Sequence, residues 1–277
     1  MTSPAPERRG PWSSPSVSAS AALHAGAAAA TLLHPPLWPW TLGAVAANHA
    51  VLTAAGLWPR SRLLGPNWTR LPAASAARGE VAITIDDGPD PDVTPRVLAQ
   101  LAAHRASATF FCVGERVERH AALARQMIHQ GHTIENHSQR HRHDFSLLGP
   151  RGMKAEIARA QHAITRITGS SPHFFRAPAG LRNPFLEPVL NSLELRLASW
   201  TRRGFDTVTR DAELIHRRLT GSLRGGDILL LHDGNAARGA SGTAVILEVL
   251  PRLLDTLSAG GFRPVMLRDA LGPGTSR

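Results

Sequence analysis

Two kinds of hydrophobic pattern divide the chain. Up to residue 58 the apolar residues fall in long runs; from Glu80 onwards they fall in short runs that switch between strand-like and helix-like spacing. No Asp, Glu, Lys or Arg stands between Arg9 and Arg60. Two apolar runs fill that interval, residues 21–33 and 37–58, separated by the turn-forming pair Pro35-Pro36. The first run is Ala-rich and short for a membrane span. The second, at about 1.5 Å rise per residue, is long enough to cross a bilayer. Trp38, Trp40 and Trp58 stand at its ends, where interfacial aromatics belong. The expected unit over 18–58 is a membrane hairpin, or one span with an interfacial helix. A soluble helical cap is the alternative; a cleaved signal peptide fits poorly, because the apolar stretch starts late and runs long. Residues 1–17, rich in Pro and Ser, read as a disordered tail, and residues 59–79 as a linker.

The region 80–271 reads as one domain. Residues 81–85 are mostly β-branched and predict a strand. Further strands are expected at 109–113, 133–135, 173–176, 196–200, 227–232 and 263–267. Helices are expected at 92–104, 117–130, 153–167, 184–191, 212–219 and 245–257, with Gly131 and Gly169 as stops. About seven strand–helix repeats in series imply the α/β class, with a parallel sheet bent into a distorted (β/α) barrel, closed or nearly closed.

Composition narrows the picture further. A chain of 277 residues, 43% apolar and 19% charged, is globular and long enough for one large domain or two ordinary ones. The net charge of +10 comes almost wholly from Arg, Lys154 being the only lysine. No aromatic-interleaved basic groove and no zinc-finger spacing accompany it, and the chain has no Tyr, so no nucleic-acid partner is expected. Cys112, the single cysteine, excludes an internal disulfide and sits in an apolar run, where a buried thiol is expected. Arg8 and Arg9 precede the apolar runs, and Arg60, Arg62 and Arg70 follow them. With two spans, the positive-inside rule puts both flanks, and the domain, on the cytoplasmic side of a bacterial-type inner membrane. One span leaves the side open.

Polar residues collect where the predicted strands end. Asp86-Asp87-Gly88-Pro89 closes the first strand. Two adjacent carboxylates repel, so they suit either a solvated turn or a site that holds a cation or divides two roles between them. His137 and His141 follow the third strand. Four residues apart, on one helical turn, they would point the same way and chelate a metal. With one carboxylate they make a three-ligand set with room for water. Zinc is the natural guess, although cobalt, nickel or iron suit the same donors. Arg176 to Gly180 follow the fourth strand, Trp200 and Asp206 the fifth, and His232-Asp233 the sixth.

Together these segments resemble the motifs of NodB-type polysaccharide deacetylases, the family-four carbohydrate esterases. Residues 84–89 resemble its TFDDGP motif and residues 137–141 its H-S/T-x-x-H. Residues 176–180 resemble its R-x-P-Y/F-G and residues 230–232 its L-x-H. The resemblance spans residues 80–268 and leaves the apolar segment outside. It implies Asp86 as general base, with Asp87, His137 and His141 holding Zn2+ or another divalent ion such as Co2+. It implies His232 as the acid that protonates the departing amine, Arg176 as the partner of Asp86, and Asp206 as the partner of His232. The backbone N–H of Ala179 would bind the oxyanion, and Pro178, Gly180 and Trp200 would border the sugar. Ala179 stands where the family has an aromatic, and Arg203 and Thr207 where it has Asp and Trp, so a remodelled substrate subsite is expected. The implied reaction is removal of an N-acyl group, acetyl first, from an amino sugar in a glycan. The apolar segment favours a lipid-linked or membrane-proximal substrate, and a deformylase is a variant of the same chemistry. A catalytically inactive glycan-binding member of the fold and a basic interaction protein are the competing readings. Oligomeric state is left open.

Overall fold

A computed structural model of the chain describes residues 15–239 and 241–271. Of the expected tail 1–17, residues 1–14 lie outside the described residues, and the first helix begins at Pro15.

Eight strands, all paired in parallel, form one curled sheet: β1 (Glu80–Asp86), β2 (Thr109–Cys112), β3 (Thr133–Asn136), β4 (Phe174–Phe175), β5 (Arg196–Leu197), β6 (Arg202–Arg203), β7 (Ile228–His232) and β8 (Arg263–Val265). The order is β5-β4-β3-β2-β1-β7-β6, with β8 on β1. β1 is central. β7 follows it from Ala82 to Asp86, while the other edge is shared between β8 at Glu80–Ala82 and β2 from Thr84. All seven residues of β1 are buried.

Side-chain alternation along β1 sends its buried residues to two of the three core clusters. Val81, Ile83 and Ile85 point outward into a cluster with Leu229 and Leu231. That cluster is covered by the helices α4 (Thr94–Ala103), α9 (Ala212–Thr220) and α10 (Ile246–Ala259). Each such fully buried aliphatic side chain stabilises the fold by about 1.5–3 kcal/mol. Ala82 points inward, with Phe111, Phe174, Trp200 and Leu230. Thr84 and Asp86 share that inner face, so the concave side of the sheet becomes polar towards the strand ends.

The expected fold class is therefore present, with local departures. The helix expected over 117–130 is two, α5 (Gly114–Arg119) and α6 (Ala121–His129), broken at His120, whose φ of −120° is not helical. The pair Arg202–Arg203 forms a short strand on β7 that the sequence reading lacked. α7 (Pro150–Thr168) ends at Gly169 in the left-handed region, as the glycine stop requires. α8 (Leu186–Ser192) completes the helices of this region.

Residues 59–79, expected as a linker, make backbone contacts with the domain that follows them. Trp68 donates its N–H to Leu197 O (2.9 Å) and accepts at its carbonyl from Ser199 N–H (2.8 Å), so it covers the free edge of β5. Leu71 N–H donates to Gly226 O (2.8 Å), at the start of β7. The segment thus runs from the β5 edge to the residues just ahead of β7, and the short helix α3 (Ala73–Ala77) leads into β1. The physical reason is an unpaired edge whose backbone groups need partners.

Ahead of this segment, α1 (Pro15–Leu33) and α2 (Trp38–Leu57) pack as a hairpin around a turn at Pro35–Leu37. Polar pairs hold them together: Asn48 Nδ2 to Ser20 Oγ (2.7 Å), Thr31 Oγ1 with Thr41 Oγ1 (2.7 Å) and His24 Nε2 with His49 Nε2 (3.1 Å). By length and composition only α1 qualifies as a membrane-crossing candidate among the described residues, with mean hydropathy 1.3 over its best window. It extends six residues ahead of the run that looked too short, whereas α2 carries Asn48, His49 and two threonines. The C-terminal end of α2 docks on the domain. Arg182 N–H donates to Gly56 O at 3.1 Å, and a Cβ on Gly56 would sit 2.2 Å from Arg182 O, so only glycine fits this approach.

Candidate active site

β1 delivers Asp86 to the inner face of the sheet, in register with Phe111 on one side and His232 on the other. The backbone then turns: Asp87 has φ of 76°, which swings its carboxylate towards β3. The two adjacent acids consequently enter different surroundings.

Asp86 Oδ1 accepts from Arg176 Nη1 at 2.5 Å. Arg176 is almost fully buried, and nothing about it is left to rotate. Its Nη1 also reaches Thr84 Oγ1 (2.9 Å), its Nε Ala198 O (3.3 Å) and its Nη2 Ser199 O (2.8 Å), and its guanidinium stacks 4.0 Å from the Phe111 ring centroid. Burial lowers the Arg176 pKa and Asp86 raises it again. A buried cation of this kind is tolerable only because every face of it is answered.

Asp87 Oδ1 lies 3.2 Å from His137 Nε2 and 3.1 Å from His141 Nε2. His137 Nδ1 donates to Arg176 O (2.8 Å), which fixes the tautomer and leaves an Nε2 lone pair facing the carboxylate. Asp87 Oδ1 is buried and has no hydrogen-bond partner. Lone pairs that converge without a proton between them repel unless a cation is placed there. The three donor atoms lie within 4.8 Å of one another. Ligands at 2.0–2.1 Å from a tetrahedral zinc are about 3.4 Å apart, close to the two contacts measured. Asp87, His137 and His141 therefore fit a divalent metal ion. Burial would raise the Asp87 pKa, but His137, His232 and His141, when charged, hold it well below the usual carboxylate range. Burial, and then His137, lower the pKa of His141, against the opposing pull of Asp87 and Asp86.

The two histidines do not share a helical turn, contrary to the sequence reading. Residues 137–141 are a loop with left-handed residues at Ser138 (φ 64°) and His141 (φ 51°). Ser138 N–H donates to Asn136 Oδ1 (2.9 Å), and Ser138 Oγ accepts from His141 N–H (3.0 Å). Side chains rather than a helix thus tie the two imidazoles together.

His232 stands at the end of β7. Asp206 accepts from its backbone N–H (2.7 Å) and from its Nδ1–H (2.8 Å), one carboxylate oxygen to each. Burial opposes the charge on the ring, but the Asp206 carboxylate outweighs it, with Asp86 and Asp87 adding to it, and the pKa is pushed up to about 9. Its Nε2 is left for a ligand. Ala179 sits in the turn Pro178–Gly180 with φ of 54°. Gly180 is wedged: a Cβ there would meet Trp200 Cη2 at 2.6 Å and Pro59 Cβ at 2.8 Å. Pro178, Gly180 and Trp200 are thus neighbours of one rim, and Pro59, outside the predicted site, belongs to it.

Asn235 escaped the sequence reading. Its Nδ2 donates to Asp87 Oδ2 (2.8 Å), and its Oδ1 accepts from Arg116 Nη2 (3.3 Å), while Arg116 Nη1 holds Gly234 O (3.0 Å). It fixes the carboxylate oxygen that the histidines do not face. Its only sequence signal is a position two residues beyond His232-Asp233, which does not distinguish it from any loop amide.

The model of the polysaccharide deacetylase family matches residues 73–198. The chain is 35% identical to a chitooligosaccharide deacetylase of Sinorhizobium fredii over 207 residues, covering 69% of this chain and 92% of the relative. It is 33% identical to a peptidoglycan-N-acetylglucosamine deacetylase of Bacillus cereus over 193 residues, covering 69% and 87%. Among solved structures it resembles a family 4 carbohydrate esterase from Streptomyces lividans in complex with acetate, with 30% identity, TM-score 0.62, and 68% and 92% of the two chains covered.

Proposed function

Since the chain belongs to the polysaccharide deacetylase family, we propose that it is a metal-dependent hydrolase that removes the N-acyl group, acetyl first, from an amino sugar in a glycan or lipid-linked saccharide. One observation carries the reading: a base candidate, three metal-donor atoms and a charged acid candidate all open onto one end of the sheet. Asp87, His137 and His141 would hold Zn2+ or a similar divalent ion, which supplies Lewis acidity towards the amide carbonyl and an attacking water.

Asp86 is the general base. Its Oδ2 lies 3.8 Å from His137 Nε2, beside the ligand set, and Arg176 holds its other oxygen so that Oδ2 faces the site. It takes the proton of the attacking water. The Ala179 N–H stabilises the oxyanion that forms at the former carbonyl. His232, kept cationic by Asp206, gives its Nε2 proton to the amine as the C–N bond breaks. Released from that proton, it stays hydrogen-bonded to Asp206 in the same tautomer. Pro178, Gly180 and Trp200 border the sugar.

The hairpin α1–α2 supports a membrane-associated protein with a lipid-linked or membrane-proximal substrate. With both helices inserted, the catalytic domain lies on the cytoplasmic side of the inner membrane. The test is acetate release by the full-length protein, with zinc or cobalt added back after chelation, from N-acetylated chitooligosaccharides, peptidoglycan and extracted lipid-linked amino sugars. Turnover that needs the metal and disappears in Asp86→Asn is the expected result. Metal-independent release, or none from any N-acylated sugar, overturns the reading.

A further inference from the structure

Arg203 is a charge near the site that no carboxylate among the described residues answers. Its guanidinium lies 5.4 Å from the Trp200 ring centroid and 4.9 Å from that of Phe205. Its Nε is buried without a hydrogen-bond partner, and no carboxylate among the described residues pairs with it. Its neighbours are treated differently. Arg202 is held by Asp227 at 2.9 Å and Arg176 by Asp86 at 2.5 Å. Arg203 is also near enough to Arg176 to disfavour that residue's charge, after burial has lowered it and Asp86 has raised it. The Phe205 ring, 46% exposed, carries a second guanidinium, Arg218, at 5.4 Å. On the hairpin side, Arg60 Nη1 donates to Thr201 O at 3.3 Å.

Trp200 links this cluster to the reacting end. Its ring abuts Gly180 of the Pro178–Gly180 turn and lies 5.9 Å from the Arg176 guanidinium. Stacking on aromatic faces holds Arg203 in place while leaving its in-plane N–H groups for a partner. A planar, oriented, unpaired guanidinium recognises an anion with two oxygens in one plane, and phosphate is the group it suits best. A neutral sugar ring would leave the charge as it is.

We propose that Arg203, stacked on Trp200 and Phe205 and flanked by Arg60, forms a subsite for a phosphate borne by the amino-sugar substrate. The inference rests on the deacetylase reading and narrows its substrate to an N-acylated amino sugar carrying a phosphomonoester or phosphodiester. A soluble sugar phosphate and a lipid-linked one present the same chemistry.

Binding and turnover together test it. Full-length protein in detergent is titrated calorimetrically with N-acetylglucosamine and with N-acetylglucosamine 1-phosphate, as wild type, Arg203→Gln and Arg203→Lys. The phosphorylated ligand is expected to bind on the order of tenfold to a hundredfold tighter, the range of one charge-assisted pair. Arg203→Gln should erase that ratio and Arg203→Lys should retain part of it, charge without the planar fork. Equal binding of the two ligands by the wild type, or a ratio unchanged in Arg203→Gln, overturns the proposal. A polyprenyl-phosphate-linked amino sugar in the same detergent separates the two sources, and preference for either leaves the phosphate subsite standing. Charge preference without acetate release from any substrate would refute the deacetylase reading while leaving the anion subsite measured. Acetate release with no charge preference would do the reverse.

Discussion

Replacing Asp206 by Asn isolates the pair that makes His232 an acid. The amide keeps the shape and an acceptor for Nδ1–H, but removes the negative charge that outweighs burial. His232 stands at about 9 against an ordinary value of about 6.5, a difference of roughly 3 kcal/mol between its two protonation states. Its side chain is only 8% exposed, so solvent screens little of this. At pH of about 7.5 a group at about 9 is roughly 97% protonated, and one at about 6.5 roughly 9%. Without Asp206 the burial cost pushes the ring lower still, so acid-catalysed turnover at that pH should fall at least about tenfold. A bound divalent ion offsets the help from Asp86 and Asp87, so the holoenzyme limb lies somewhat below 9. The assay is kcat against pH on an N-acetylated chitooligosaccharide. The wild type should lose rate along an alkaline limb set by His232, and Asp206→Asn should move that limb down by more than one pH unit. An activated ester, whose leaving group needs no proton, should lose much less rate. Stability carries the same sign. The folded pKa is raised, so the pair's contribution is complete below about pH 6.5 and is lost as pH rises through about 9. The variant should lack that decline. An alkaline limb that stays in place in Asp206→Asn would refute the pairing.

The other predictions concern metal, base and hairpin. Asp86→Asn should keep the metal and lose roughly 10²–10⁴ in kcat, whereas Asp87→Asn and His137→Ala should lose metal by mass spectrometry with the fold intact by circular dichroism; identical behaviour of the two Asp variants would contradict the division of roles. Asn235→Ala should weaken zinc binding about 10–100-fold in a competition titration, the usual effect of removing a group that orients a ligand; unchanged affinity would mean that the hydrogen bond to Asp87 Oδ2 is incidental. Deletion of residues 1–54 should give a domain that folds and binds zinc. A cut extended to residue 71 removes Pro59 and Trp68 from the rim and the β5 edge and should lower the melting temperature; equal stability of the two truncations would restore residues 59–79 to a passive linker.

What could be read from the sequence follows from where the information lies. A β-branched run that stops at two acids reveals a strand and its functional end, because strand period and turn chemistry are local properties. The motifs at residues 84–89, 137–141, 176–180 and 230–232 were visible for that reason. What depends on distant partners was not. His137 and His141 looked like a helical pair because spacing alone favours that geometry, yet the tie is made by Asn136 and Ser138 side chains. Residues 59–79 carry no strand pattern, and their role comes from the unpaired edge of β5, some 130 residues downstream. Asn235 acts through one amide whose partner is fixed only when β1 and β7 lie side by side. The hairpin followed the same rule: apolarity was plain, but α1 reaches spanning length only by starting six residues ahead of its apolar run, while α2, long enough at 20 residues, falls short in hydropathy through Asn48 and His49.

The contact between Gly56 and Arg182 makes α2 a strut and not a leash. A catalytic head on a flexible tether samples a volume, and its encounters are governed by linker length and local concentration. Here the helix end is hydrogen-bonded to the residue two beyond the Pro178–Gly180 turn, and Pro59 is wedged beside that turn. Swivelling the helices relative to the mouth would break both contacts. With the hairpin in a bilayer, the opening is carried at one height and one inclination, and its search is confined to a plane. Surface density of substrate, not bulk concentration, then sets the encounter rate, and a glycan presented at another height is excluded by reach before any side chain can discriminate against it.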